Sequence, residues 1–358
     1  MASNTFGTIF RIMTWGESHG KALGVVIDGC PAGFELSEKE IDESLIKRAP
    51  GKTEHTSPRK ENDQVEILSG VFEGKTTGTP ISLMIRNYDA DSSKYEPIKE
   101  LFRPGHANFT YLEKYGIFDY RGGGRSSGRE TISRVAAGAV AKQFLKYEGI
   151  ECVTYIKQIG NIKANLNFQD LSQWRSSIDQ STLFCPDVEA SKKMKELINL
   201  MKEDGDSIGG VVEFIVIGLP VGLGDPVFEK IEANLAKALM SIPASKGFEI
   251  GEGFCSVTMK GSEHNDTFMN DHGTIKTTTN HSGGTLGGIS NGMPLIARVA
   301  FKPASSIMKK QQTIDTSGQL QLMELPIGSR HDPCVAIRAV SVVEAMVYLV
   351  IADCVLLN

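Results

Sequence analysis

Two histidine loops, a glycine-rich arginine segment and a late aspartate are the parts of this sequence best suited to proton transfer and anion binding. Gly16-Glu17-Ser18-His19-Gly20 sets an acid, a hydroxyl and an imidazole between glycines that let backbone approach a ligand closely. An imidazole titrates near neutral pH, so His19 could give or take a proton there. Ser18 and His19 are neighbours, and on an extended chain neighbours point to opposite sides, which argues against a nucleophile with its base. Phe102-Arg103-Pro104-Gly105-His106-Ala107-Asn108 places a second histidine after a Pro-Gly turn, just before an expected helix. A helix start disfavours a cation, so the pKa of His106 is expected to fall. Each histidine also has a plain reading as a hydrogen-bonding loop residue.

The densest signal is Tyr120-Arg121-Gly122-Gly123-Gly124-Arg125-Ser126-Ser127-Gly128-Arg129-Glu130-Thr131, followed by a helix that carries Arg134. Glycines offer orientable N–H groups, serines add hydroxyls, and the guanidinium groups concentrate positive charge, which together describe a phosphate pocket. The spacing is neither that of a Walker loop nor that of a dinucleotide fingerprint. An RNA-binding arginine-glycine segment competes, but such segments are long and repetitive, and this one is short and set among apolar elements. Lys302-Pro303-Ala304-Ser305-Ser306 adds an ammonium and hydroxyls at a strand end, and Arg330-His331-Asp332-Pro333-Cys334 adds a cation and a carboxylate. His331 and Asp332 are adjacent and no histidine has an i, i+4 partner, so no metal site is expected.

These segments must be positioned by a chain of 358 residues with 41% hydrophobic and 23% charged residues, enough apolar side chain for a core. A net charge of −5 disfavours a bulk polyanion binder, so any anion site is local and no nucleic-acid partner is expected. No uninterrupted apolar run reaches bilayer length, the C-terminal one being broken by Glu344 and Asp353, so no membrane association is expected. The first residues lack a secretory pattern, which makes the cytoplasm the default. Six scattered cysteines read as reduced, mostly buried thiols.

A Ser37 to Glu40 capping box predicts a helix over 37–48, and apolar periodicity predicts others near 129–147, 188–203, 226–241 and 341–356. Strands are predicted over Leu23–Asp28, Val65–Leu68, Ile81–Arg86, Val211–Gly218, Phe254–Lys260 and Leu295–Lys302. Strands and helices do not alternate regularly, which favours an α+β fold with helices packed on antiparallel sheets. No linker-like stretch divides the sequence, so one domain over 1–358 is expected. Gly74–Leu83 and Gly288–Ile296 echo one another, each running glycine, turn, glycine, then proline into an apolar strand, which hints at an internal duplication.

Taken together, GESHG, SPRK (Ser57–Lys60), FRPGH, GGGRSSGRET, KPASS and RHDPCVAIRAV, in order over nearly the whole chain, resemble the chorismate synthase family. The resemblance implies a lyase that eliminates phosphate and a C6 hydrogen, anti, from 5-enolpyruvylshikimate 3-phosphate to give chorismate, with reduced FMN and no net redox change. It also implies a β-α-β sandwich, helices between antiparallel sheets, assembled as a homotetramer, in which the echo would mark a pseudo-twofold. By matching positions, His19 is the acid toward the departing phosphate and His106 keeps the flavin correctly protonated. Asp332, with Ser18 and Ser127 as relays, handles the proton at flavin N5. Flavin contacts fall on Arg125, Ser126, Ser127, Pro243, Ala244, Gly287, Lys302, Pro303, Ala304, Ser305, Ser306 and Arg330, and substrate cations on Arg48, Arg129, Arg134 and Arg338. The bowl should be basic at its rim and buried at its base.

The chain departs from the family pattern at three places. Lys47-Arg48-Ala49-Pro50-Gly51-Lys52-Thr53-Glu54 lacks two of the usual positive residues and reverses one sign at Glu54, which weakens a secondary NADP contact assigned to that loop. Ser341 replaces a proline and Pro243 a polar residue. Altered loop order with retained activity is expected. A flavin reductase consuming NAD(P)H is the alternative enzyme, though no extra insertion advertises that activity, and a non-enzymatic phosphate-ligand or RNA binder is the alternative outside catalysis.

Overall fold

In the computed structural model, which describes residues 4–49, 63–88, 93–166, 171–326 and 332–358, the chain builds two five-stranded antiparallel sheets in succession. The first takes β1 (Thr5–Phe6), β2 (Arg11–Gly16) and β3 (Ala22–Asp28), passes through helix α1 (Glu38–Arg48), then adds β4 (Val65–Ser69), the hairpin β5–β6 (Val71–Phe72, Lys75–Thr76) and β7 (Ile81–Arg86). Its order is β1-β2-β3-β7-β4. Alternation decides which face is inward: Ile81, Leu83 and Ile85 of β7 are fully buried and the residues between them are not. A one-residue slip would turn that row outward.

Helices α2 (Asn108–Tyr115) and α3 (Thr131–Tyr147) lead to the second sheet, which begins with β8 (Glu151–Ile159) and β9 (Ile162–Lys163). Helices α4 (Leu171–Gln180) and α5 (Val188–Glu203) precede β10 (Gly210–Ile217), and α6 (Ile231–Met240) precedes β11 (Ser245–Ile250). A single-turn α7 (Gly261–His264) and the hairpins β12–β13 (Phe268–Asp271, Thr274–Thr277) and β14–β15 (Thr285–Leu286, Ile289–Ser290) then lead into β16 (Leu295–Phe301). The sheet order is β11-β16-β10-β8-β9. The hairpin β17–β18 (Gln311–Ile314, Leu320–Met323) and helix α8 (Ala336–Leu357) follow.

Both sheets are assembled in a like succession. β2, β3, α1, β4, a short hairpin and β7 give a sheet with β7 between β3 and β4; β8, β10, α6, β11 and β16, with β9, α4 and α5 inserted after β8 and α7 and two hairpins before β16, give one with β16 between β10 and β11. The two echoing sequences are the hairpin-plus-strand pieces of these halves.

Helix α3 packs along α8 and touches β2, β3 and β7 of the first sheet and β8 of the second, while α8 lies on β8 and β10. A Cβ added to Gly138 would fall 2.4 Å from the Cβ of Ala345, so glycine permits the close approach of the two helices. Their apolar residues join both sheets, α1 and α6 in one core cluster that runs from Phe10 to Cys354. Helix α8 has 22 residues and a mean hydropathy of 2.2 over an 18-residue window, so that even with Glu344 and Asp353 interrupting the run it is long and apolar enough to cross a bilayer. Its hydrophobicity serves the core instead, since 72% of that window is buried inside the protein. At its far end the Asp353 carboxylate accepts the N–H groups of Thr8, Ile9 and Phe10 at 2.7–2.9 Å.

The capping box at Ser37 forms as predicted, with the Ser37 hydroxyl accepting from the Glu40 N–H and the Glu40 carboxylate accepting from the Ser37 N–H. One predicted strand is wrong: within Phe254–Lys260 the structure has a 3-10 helix, Gly253–Thr258, entered through Gly251 and Gly253 at positive φ. Five cysteines are buried and Cys255 is exposed. Burial pushes the thiols of Cys30, Cys152, Cys334 and Cys354 up to about 12.

Candidate active site

The site starts from the turn between β2 and β3. Its backbone closes where the Gly20 N–H donates to the Glu17 carbonyl at 3.1 Å, with Ser18 and His19 at the centre. Because the chain turns here and is not extended, the two side chains meet, contrary to the sequence expectation: Ser18 Oγ lies 3.1 Å from His19 Nδ1. Ser18 Oγ is also 3.2 Å from the Gly122 carbonyl, which can only accept. The serine proton therefore goes to Gly122, and the His19 Nδ1–H donates to Ser18, an assignment made from the bonding pattern. The His19 ring meets Tyr95 edge to face, with centroids 5.5 Å apart.

The triple-glycine turn lies between the two histidines. A Cβ on Gly122 would fall 2.0 Å from His19 Cε1, and one on Gly123 would fall 3.1 Å from His106 Cε1. Both residues have positive φ, 66° and 85°, so neither the space nor the backbone suits a side chain. Segments near residues 19, 106 and 122 are thus one locus.

His106 is half-buried, and its backbone N–H donates to the Arg103 carbonyl in the Pro-Gly turn. Its pKa is lowered to about 3, first by burial, then by the cations Arg103 and Lys302. The sequence placed it before a helix, and α2 does follow, yet the lowering comes from burial and those two cations, not from the helix start. At neutral pH His106 is therefore an uncharged imidazole that can donate or accept a hydrogen bond, and its buried Nδ1 has no hydrogen-bond partner in the structure. Lys302 Nζ donates to the Gly105 carbonyl at 2.8 Å, and a Cβ on Gly105 would fall 3.2 Å from that of Ser305. Arg103, itself buried, donates to Ser306 Oγ at 2.6 Å and stacks over Tyr95. The Lys302–Ser306 segment is thereby joined to the histidine pocket.

Arginines are bracketed by carboxylates. Asp63 takes Arg129 Nη1 on Oδ1 at 2.6 Å and Arg48 Nη1 on Oδ2 at 3.4 Å, with all three side chains essentially buried. Arg48 also donates to the Gly128 carbonyl and Thr131 Oγ1. Glu130 plays the same part for Arg134, at 3.0 Å, and Arg125, at 3.7 Å. Each carboxylate faces two guanidinium groups; the pair around Asp63 is essentially dry while Arg125 and Arg134 are partly exposed, and positive charge held at low hydration is where an anion is attracted most strongly. Arg125 further donates to the Gly16 carbonyl and Thr14 Oγ1, tying the His19 turn to the glycine segment.

The other predicted residues fall as follows. Ser126 donates to the Gly123 carbonyl and Ser127 caps the turn by accepting from the Arg129 N–H. Asp332 accepts from Arg338 Nη1 at 2.9 Å, while the buried Nε of Arg338 has no hydrogen-bond partner. Pro333 accepts from the Ile208 N–H and Ala304 from Ser207 Oγ, which sets the Asp332 segment beside the Lys302–Ser306 segment through β10. Ala244, at φ 69°, accepts from the Lys302 N–H, so the Pro243-Ala244 turn adjoins the same strand end. Gly287 sits in the β14–β15 turn with open space where a side chain would be. Arg330, His331, Pro50-Gly51-Lys52-Thr53-Glu54 and Ser57–Lys60 lie outside the described residues.

Sequence reading missed Asp63, Asn87 and Tyr95, and gave Arg103 no role. Asp63 and Asn87 sit in ordinary polar contexts, and their partners are 15 to 70 residues away. Only Arg103, in a quoted motif beside His106, carried a usable signal.

With this geometry in hand, the comparisons can be read. The profile of the family described as chorismate synthase matches residues 10–356. A chorismate synthase of Protochlamydia amoebophila is 57% identical, over 100% of this chain and 98% of the relative. One of Methanosarcina mazei is 53% identical over 99% and 96%, respectively. A solved structure described as the crystal structure of chorismate synthase superposes with TM-score 0.79 at 34% identity, covering 98% of this chain and 92% of that one.

Proposed function

Because the chain belongs to the chorismate synthase family, it converts 5-enolpyruvylshikimate 3-phosphate to chorismate, and we propose that the two histidines, with the arginine clusters around them, carry that step. The enzyme is a lyase of the shikimate pathway, acting at its last step in the supply of aromatic amino acids. The observation that carries the site reading is the Gly122-Gly123 turn pressed between His19 and His106.

Arg48, Arg129, Arg134 and Arg338 hold the substrate's phosphate and carboxylates, for which guanidinium groups paired around Asp63 and Glu130 are suited. His19, with Nδ1 anchored on Ser18, presents Nε2 as the proton donor to the leaving phosphate. A phosphate departs more readily when protonated or held by cations. Asp332, oriented by Arg338, with Ser18 and Ser127, handles the proton lost from C6.

The family uses reduced flavin, and reduced FMN is the form proposed. The residues present fit it: the orphaned Nδ1 of His106 needs a hydrogen-bond partner, and Lys302 and Arg103 supply positive charge beside it. Arg125, Ser126, Ser127, Pro243, Ala244, Gly287, Lys302, Pro303, Ala304, Ser305, Ser306 and Arg330 would hold the ring and its phosphate. When bound, reduced FMN lends electron density to an elimination that leaves its oxidation state unchanged. His106, neutral through its burial, holds the hydrogen-bonding pattern at the ring.

The remaining expectations are part of the same reading. A single domain over 1–358 with a β-α-β sandwich and a pseudo-twofold is supported by the shared core cluster and the matching succession of elements. A homotetramer in the cytoplasm is proposed from the family resemblance, and the lack of nucleic-acid or membrane partners accords with the net charge of −5 and with the burial of α8.

The test supplies the phosphorylated substrate and chemically reduced FMN without oxygen, and follows chorismate absorbance. Product formation by the wild type, with loss in His19→Ala and His106→Ala, is expected. Equal turnover in both variants would overturn the assignment of roles. NAD(P)H consumption without substrate would favour the flavin reductase alternative.

A further inference from the structure

Asn87 follows the last residue of β7 and reaches both loops that the proposed chemistry needs. Its amide Nδ2 donates to the Glu17 carbonyl at 3.1 Å and to the Gly20 carbonyl at 2.8 Å, the two ends of the turn that holds His19. Its Oδ1 accepts from Arg129 Nε at 3.0 Å, and its backbone N–H donates to the Lys21 carbonyl. Arg129 is in turn held by Asp63, which also binds Arg48. One amide side chain thus clamps the His19 turn from below and fixes its distance from a buried arginine pair. Only a primary amide serves both ends, since carbonyl oxygens demand a donor and a guanidinium demands an acceptor.

We infer that Asn87 is a positioning residue, which sets the proton donor His19 in register with the Arg48–Arg129 phosphate cations. The inference rests on the reading of those three residues as donor and substrate cations. A carboxylate at position 87 separates the two duties: it still accepts from Arg129 but cannot donate to Glu17 or Gly20. The turn then loses its clamp while the arginines keep theirs. Misplacement of a catalytic group by about 1 Å costs roughly 100-fold in rate.

The experiment is a double-mutant cycle in the full-length enzyme, with His19→Ala, Asn87→Asp and both together. Asn87→Asp is expected to lower kcat by roughly 10- to 100-fold while KM stays within about threefold. In the His19→Ala background the same change is expected to lower kcat by less than about threefold, because its effect passes through His19. An equal further loss in that background would overturn the inference and leave Asn87 a general structural residue. Wild-type kcat in Asn87→Asp would also overturn it. Wild-type turnover in His19→Ala would instead refute the underlying assignment of the donor. Circular dichroism of each variant reports on folding; should the aspartate variant fail to fold, Asn87→Ser, whose short hydroxyl has one proton and cannot serve both carbonyls, loosens the same turn and enters the same cycle with the same outcomes.

Discussion

Gly122 lies directly against the imidazole of His19, so close that a methyl group on its Cα would overlap ring atoms Cε1 and Nδ1 at 2.0 and 2.1 Å. The backbone of the glycine segment is therefore the wall against which the first histidine rests, and its carbonyl holds the hydroxyl of Ser18.

Gly122→Ala should therefore act on rate far more than on folding. The left-handed conformation costs a non-glycine residue about 1–2 kcal/mol, while the ring must move by more than 1 Å. Turnover is expected to fall more than about 100-fold with most of the fold retained. Steady-state assays beside thermal melts measure both, and turnover within threefold of wild type would refute the packing described.

Asp63→Ala leaves two buried guanidinium groups without their shared carboxylate. Breaking a buried ion pair from one side costs about 3–5 kcal/mol, and the remaining bonds of Arg48 and Arg129 to Gly128, Thr131 and Asn87 offset only part of it. Urea unfolding should show a loss in that range, together with a higher KM for the substrate. A loss below about 1 kcal/mol would mean that water reaches the cluster.

Acid should weaken the protein through His106. An unfolded histidine takes up its proton near pH 6.5, whereas the folded one resists until about pH 3. Between those values the unfolded chain binds a proton that the folded chain refuses, so the stability present above pH 6.5 is lost as the pH falls toward 3. The contribution is on the order of a few kcal/mol across the window. Denaturation midpoints at pH 7, 5.5 and 4.5 should fall less steeply in His106→Asn than in wild type, and identical slopes would contradict the burial.

Local signals were legible where local physics decides the outcome. The box at Ser37 and Glu40 places the start of α1, and the alternation of Ile81, Leu83 and Ile85 gives β7 its limits. β8 escaped notice because it is buried on both faces without alternation, and Tyr155 and Lys157 find their partner Glu213 on β10 only on folding, 58 residues apart in the first case. The run Phe254–Lys260 has the composition of a strand, but no strand pairs with it, and Gly251 and Gly253 turn the chain into a 3-10 helix. In the site, motifs carried the histidines and arginines. Asp63 and Asn87 stayed hidden because a carboxylate or an amide acquires meaning only from the groups folded against it.

The clasp between Asp353 and the N–H groups of Thr8, Ile9 and Phe10 sets a limit on the order of assembly. Those amides precede β2 and the turn bearing His19, yet their acceptor lies 343 to 345 residues further along the chain. The opening strands gain this acceptor, and the apolar cover that α8 contributes, only once two distant segments have met. Closing so long a loop is slow, so the first loop is among the last parts to be secured.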